Sequence, residues 1–205
     1  MPGPAYRIQT PRLVIRCWQP ADAPLLADAV TASVEHLRPW MPWVNAEPEE
    51  LEAKVQRLRG FRARFDLDQD YVYAIFTRDE SEVVGGTGLH PRVGEGVLEI
   101  GYWINVRHAE RGYATEATAA LTRTAFEVNG VERMEIRCDP ANERSAAIPR
   151  KLGYMLDATL RGNVRGADGA MRDTLVWSLL RGEYPASPSA SAEIEAFDAA
   201  GRTLL

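Results

Sequence analysis

Apolar positions along the chain change period several times, and each change marks an element. Arg12-Leu13-Val14-Ile15-Arg16-Cys17-Trp18 follows a proline and is rich in β-branched residues, which predicts an opening strand. Pro20-Ala21-Asp22-Ala23-Pro24 starts a helix, with Asp22 as N-cap and Pro24 at an early position where its missing N–H costs nothing. Residues 37–48 are rich in Pro and Trp and predict an ordered loop. From 49 to 65 the apolar residues Leu51, Val55, Leu58, Phe61 and Phe65 recur at helical spacing. Three strands follow, at 71–77, 83–89 and 97–106, separated by polar or glycine turns. A helix opens at Gly112 or Tyr113 and stops at Asn129-Gly130, with Ala117, Leu121, Ala125 and Val128 on its inner face. A strand at 133–138, a short helix at 142–152 ended by Gly153, and strands at 154–162 and 174–180 complete the pattern, the last two joined by a loop containing Gly162, Gly166 and Gly169.

The resulting order, β, α, α, β, β, β, α, β, α, β, β, predicts one α/β (α+β) domain with a single mixed, mostly antiparallel sheet and helices on both faces. Residues 1–184 form that domain. Residues 185–205 turn Pro-, Ser- and Ala-rich and are expected to be a flexible or helical tail. A chain of 205 residues suits one sizeable core. The formal net charge of -5 leaves no excess of Lys and Arg to track phosphates, so nucleic acid is not an expected partner. Cys17 and Cys138 stand far apart and in no metal-like spacing, which points to a reducing cytoplasm and to no metal site. No signal-like or membrane-length apolar run is present, and no membrane association is expected.

Two segments carry candidate chemistry. Ile100-Gly101-Tyr102-Trp103-Ile104-Asn105-Val106 runs into Arg107-His108-Ala109-Glu110-Arg111-Gly112, and a helix begins at once. A strand, a tight glycine turn and a helix N-terminus converge backbone N–H groups and the positive end of the helix dipole on one point. That geometry suits a pyrophosphate, with Gly112 allowing close approach and Arg111 adding charge. Many such turns bind nothing, so the second segment matters: Asn142-Glu143-Arg144-Ser145-Ala146-Ala147-Ile148-Pro149-Arg150-Lys151-Leu152-Gly153-Tyr154.

Together with Arg111-Gly112-Tyr113-Ala114-Thr115-Glu116-Ala117, this second segment resembles the GNAT acetyltransferase superfamily, and more narrowly its RimJ/RimL-type ribosomal-protein N-acetyltransferases. Thr10-Pro11-Arg12-Leu13, Leu37-Arg38-Pro39-Trp40-Met41-Pro42-Trp43 and Glu99-Ile100-Gly101-Tyr102-Trp103-Ile104 fit the same subgroup, and the likeness spans residues 8–182. It implies the acyl-CoA N-acyltransferase fold, with acetyl-CoA as acyl donor and an amine as acceptor, either a protein N-terminus or a small molecule. Homodimer formation is compatible with it. By the resemblance, Ile104, Asn105, Val106, Arg111, Gly112, Tyr113, Ala114, Thr115, Asn142 and Ser145 hold the cofactor, and Trp40 and Trp43 line the acceptor pocket. Two departures stand out. Ala109 replaces the usual Gln or Arg. Glu110 replaces a common Gly and is expected to turn its side chain to solvent, or to be strained if the loop requires positive φ. Pro149 inside a helix is also unusual.

The implied chemistry is direct attack of the amine on the thioester. An α-amine with a pKa near 8, or a Lys amine near 10.4, must first lose a proton. The leaving thiolate gains from a donor, for which Ser145 is the candidate, although its helix-capping role competes. Asn142 is equally a cap or a ligand. Glu99 leads as base, Glu135 is second, and Asp173 and His90 follow. Two other readings stay open: a non-catalytic acyl-CoA-binding sensor, favoured by Ala109 and Glu110, and an enzyme using another donor such as succinyl-CoA.

Overall fold

The computed structural model describes residues 3–166 and 168–205. Nine strands form one sheet in the order β7-β8-β6-β5-β4-β3-β2-β1-β9. In chain order these are β1 (Arg7–Gln9), β2 (Leu13–Cys17), β3 (Tyr71–Thr77), β4 (Val83–Gly94), β5 (Val97–Ile104), β6 (Arg133–Cys138), β7 (Met155–Arg165), β8 (Met171–Leu180) and β9 (Glu195–Phe197). The α-helices are α1 (Ala23–Leu37), α2 (Leu51–Asp66), α3 (Tyr113–Thr124) and α4 (Glu143–Lys151). Every strand pair is antiparallel except β5 with β6. That exception follows from chain order, because α3 is a crossover that returns the chain in the same direction.

Alternation along β2 explains the two layers. Leu13 and Ile15 pack with Ile75 of β3 under Ala117, Ala120 and Leu121 of α3 and Ile148 of α4. Val14, one position away and on the opposite face, packs with Ala74 and Phe76 under Leu26 and Val30 of α1 and Leu58 of α2. The predicted helices and strands are therefore present, with helices on both faces. Asp22 is the N-cap of α1 as expected, with Pro24 in the first turn, though its side chain caps nothing there: it accepts the Gln19 N–H at 2.8 Å and is held by both Nη atoms of Arg16.

Three departures from the expected pattern have physical causes. β1 is added at the front, held by pairing with β2 and β9 rather than by its own three residues. Residues 185–205, expected as a flexible or helical tail, instead form two 3-10 turns and β9, which closes the sheet edge beside β1 and buries Ala196 completely. Finally, β7 runs on to Arg165, so the glycine loop between β7 and β8 is shorter than expected; residue 167 within it lies outside the described residues. Among the described residues, no helix is long and apolar enough to cross a membrane.

Candidate active site

The sheet opens where the chemistry was expected. β5 and β6 pair in parallel from Val97 with Arg133 to Ile100 with Ile136 and then part, although β5 continues to Ile104 and β6 to Cys138. Two cavities reach this gap. One, of about 770 Å³, runs past Ile104 and His108, along Gly112, Tyr113, Ala114 and Thr115, and back under Asn142, Ser145 and Ile148. The other, of about 420 Å³, lies between the loop at Pro39–Pro42 and the β7–β8 hairpin, over Glu99, Gly101 and Arg137. Both are lined by Trp40, Met41, Tyr102, Asn142 and Ser145.

The larger cavity has the features of an anion cradle. Gly112 precedes α3 with φ +80°, a left-handed conformation that glycine adopts without penalty. The first helical bond of α3 runs from the Glu116 N–H to the Gly112 carbonyl at 3.1 Å, so the N–H groups of Tyr113, Ala114 and Thr115 have no partner within the helix. Those donors and the helix dipole suit a pyrophosphate. The loop is fixed from behind by Arg12, which donates Nη1 to the Arg111 carbonyl at 3.0 Å, pairs with Glu116, and stacks over the Tyr113 ring. Glu110 follows the positive-φ alternative, with φ +64°, and its exposed carboxylate pairs with Arg144 at 2.6 Å.

At the junction, the Asn142 side chain accepts the Ser145 N–H at 3.1 Å, capping α4. The Tyr102 hydroxyl lies 3.1 Å from Ser145 Oγ and donates to the Ser145 carbonyl at 3.1 Å. Pro149 explains why that carbonyl is free. It stands four residues on, where an ordinary residue would supply the helical N–H. Burial pushes the Tyr102 hydroxyl up, so it remains a donor.

In the smaller cavity Glu99 is buried, and Arg92 holds both its oxygens, at 2.5 and 3.0 Å. Arg137 lies 3.8 Å away. Glu135, its neighbour on β6, is likewise held at both oxygens by Arg133 and Arg137 and does not reach the cavity wall. Asp173 lines the rim and accepts the Gly162 N–H at 2.9 Å. Arg172 ties the roof together, donating to the Pro39 carbonyl at 2.8 Å and to Asp168 at 3.1 Å.

Of the residues singled out in the sequence, Trp40, Ile104, Gly112, Tyr113, Ala114, Thr115, Asn142 and Ser145 come together around the gap, with Glu99 in the smaller cavity. Four others lie apart from the cavity walls. Asn105 is buried and braces the loop, donating to the Val83 carbonyl and accepting the Arg107 N–H. The Val106 N–H is taken by Ser33 Oγ at 3.0 Å. Arg111 offers its carbonyl to Arg12. Trp43 packs edge-on against Trp103, centroids 6.0 Å apart. Cys17 and Cys138 are free and buried; burial pushes the Cys17 thiol to about 12 and raises that of Cys138. Sequence reasoning missed Tyr102, Arg92 and Arg137 as site residues. The signal for Tyr102 was Pro149, whose missing N–H requires another donor for Ser145. Among the described residues, no group of three or more His, Cys, Asp or Glu side chains is placed to hold a metal ion.

Comparison with known proteins agrees with this geometry. The family model for the acetyltransferase (GNAT) domain matches residues 12–155. YdaF of Bacillus subtilis (strain 168), provisionally named as a ribosomal N-acetyltransferase, is 27% identical over 174 residues, which is 84% of this chain and 93% of its own. RimJ of Mycobacterium smegmatis, solved with a CoA disulfide, superposes with a TM-score of 0.76 at 23% identity over 92% of each chain. The ribosomal-protein-S5-alanine acetyltransferase of Vibrio fischeri gives a TM-score of 0.74 at 18% identity, covering 87% of this chain and 98% of that one. A family model spanning most of the chain, on a sheet that parts beside a helix-capped anion cradle, identifies the protein as a member of the GNAT acetyltransferase family, an acyl-CoA-dependent N-acyltransferase.

Proposed function

We propose that the protein transfers the acetyl group of acetyl-CoA to the α-amine of a protein N-terminus, by direct attack in a ternary complex. The observation that carries this reading is the meeting of two cavities at Tyr102 and Ser145, in the gap between β5 and β6. A donor and an acceptor arriving from the two cavities would bring thioester and amine into contact there, which is the proximity such a reaction needs. The choice of a protein N-terminus draws on the RimJ and S5-alanine acetyltransferase neighbours, whose own acceptors are ribosomal proteins by name in the latter case.

In this reading the N-terminus of α3 and Gly112 take the CoA pyrophosphate, and Ile104 and Asn142 border the pantetheine arm. The Ser145 hydroxyl stands by the sulfur and donates to the departing thiolate. Glu99 and Glu135 fix the guanidinium groups of Arg92, Arg133 and Arg137 in and behind the acceptor cavity. An ammonium group would have to displace Arg92 to reach Glu99, so its part is to hold that wall rather than to take the proton.

Thiol release measured with acetyl-CoA and a panel of N-terminal peptides and small amines tests the reading. Turnover is expected with peptides bearing a small first residue. Tight CoA binding without turnover on any amine would support a sensor, and faster turnover with succinyl-CoA would replace the acetyl donor. Ser145→Ala should lower kcat about 10-fold or more while leaving the Kd for CoA within twofold; unchanged kcat would remove the thiolate role.

A further inference from the structure

The acceptor reading leaves one proton without a destination: that of the attacking ammonium group. Glu99, the buried carboxylate of the smaller cavity, and Glu135 behind it are both occupied by guanidinium groups. One titratable side chain on the same sheet face has an open nitrogen. His90 of β4 is the register partner of Glu99, so the two side chains stand side by side on one face of the sheet; Glu99 lines the smaller cavity and His90 stands beside it, outside the lining. Its Nδ1 lies 2.6 Å from Asp70 Oδ1. A carboxylate accepts, so Nδ1 carries a proton and, in the neutral ring, Nε2 carries the lone pair.

The direction of Nε2 is set by two glycines. A β-carbon at Gly88, on the same strand, would sit 2.5 Å from Nε2, and one at Gly101, on β5, would sit 3.5 Å from it. The imidazole therefore lies over the backbone where side chains would otherwise stand. It lies against Gly88 of its own strand and within contact of Gly101, which lines the smaller cavity next to Tyr102. An imidazole oriented at one nitrogen by a carboxylate, with the other beside a glycine of the cavity wall, has the arrangement of a general base that reaches the amine through a water.

We infer that His90 is the general base of the reaction and Asp70 its positioning residue. This rests on the acceptor reading given above. Nε2 takes one proton from the ammonium group through one water, and the freed amine attacks the thioester carbon. A C–N bond forms as the carbonyl π pair moves to oxygen. Collapse re-forms the carbonyl and breaks the C–S bond. The second proton of the attacking nitrogen passes to the thiolate by way of the Ser145 hydroxyl. His90 then returns its proton to solvent, so the sum is amide, CoA thiol and one released proton.

The charged groups nearest the ring are Asp70 before β3, which holds it, and Glu99 on β5, its register partner, which in turn carries Arg92 of β4 and has Arg137 of β6 at 3.8 Å. The test compares wild type, His90→Gln and Asp70→Asn on the best peptide acceptor over pH 6–10, alongside thermal melting and CoA binding. Kcat/KM for the peptide should fall about 100-fold in His90→Gln at pH 7. The defect should shrink as pH rises past the amine's own pKa near 8, where free amine no longer needs a base. Asp70→Asn should show a smaller loss of the same shape, which covers the case in which His90→Gln fails to fold. CoA affinity should stay within twofold. A variant profile parallel to wild type, or a defect equally large at pH 10, overturns the assignment. Failure of the wild-type protein to acetylate any amine overturns the acceptor reading itself, and this inference falls with it.

Discussion

The contact between Tyr102 and Ser145 gives the sharpest test of how the site is held. Tyr102→Phe removes a hydroxyl lying 3.1 Å from both the carbonyl and the Oγ of Ser145. Because Pro149 cannot donate, that carbonyl is left without a partner in a part-buried setting, at a cost of about 1–2 kcal/mol. In a chain of this size each kcal/mol moves the melting temperature by about 2–4 °C, so a fall of about 2–8 °C is expected. Ser145 also loses its orienting neighbour, and kcat should fall about 10-fold with little change in the KM for acetyl-CoA. Pro149→Ala offers the missing N–H back to the same carbonyl. The double variant should therefore be less damaged than the two single changes together, by about 1 kcal/mol of coupling. Denaturant titration of the four proteins measures the stability cycle, and thiol release measures the kinetic one. Strict additivity, within about 0.3 kcal/mol, would show that Tyr102 does not substitute for the helical donor.

The anion cradle should be sensitive to backbone conformation: Gly112→Val forces a β-branched residue to φ +80° and should weaken CoA binding about 10-fold or more by calorimetry, unchanged affinity refuting the pyrophosphate assignment. Glu110→Gly should have the opposite effect, relieving φ +64° and freeing Arg144 beside the groove, so that CoA binds several-fold more tightly; weaker binding would mean the Glu110–Arg144 pair shapes the groove. Burial, assisted by Asp66 and Asp68, pushes the Tyr6 and Tyr71 hydroxyls from 10 to about 12. The folded state thus holds these protons more tightly than the unfolded one, and their contribution is complete below pH 10 and lost as pH climbs from 10 to 12. Denaturation midpoints measured across that range should fall less steeply in Tyr6→Phe than in wild type, and equal slopes would refute it.

What was legible in the chain was whatever repeats locally. Leu13, Val14 and Ile15 announce a strand buried on both faces, and Leu51, Val55 and Leu58 announce a helix, because each pattern is written within one element. β1 and β9 were invisible for the converse reason. Arg7–Gln9 and Glu195–Phe197 have three residues each and are strands only because they pair with one another across the fold. The candidate site divides in the same way. Asn142, Ser145 and Gly112 sit at helix ends with local signatures. The clamp of Arg92 on Glu99 and the pairing of His90 with Asp70 depend on sheet register and on residues brought together from β3, β4 and β5, which spacing alone does not reveal.

The two positions that break local rules prove informative together. Pro149 removes a hydrogen bond from α4, and Glu110 holds a left-handed conformation that costs a non-glycine residue about 1–2 kcal/mol. Glu110 lines the larger cavity, and Pro149, buried on α4, stands one turn beyond Ser145 at the junction. Pro149 releases a carbonyl that Tyr102 takes, tying β5 to α4 across the gap in the sheet. Glu110 reaches from the α3 loop to Arg144 on α4, tying the same two walls further along the groove. Local strain here is exchanged for links across an opening that strand pairing cannot bridge, since β5 and β6 no longer bond beyond Ile100 and Ile136. Both ties border the space a pantetheine arm would enter, so cutting the Tyr102 link should be read in kcat and cutting the Glu110 link in CoA affinity.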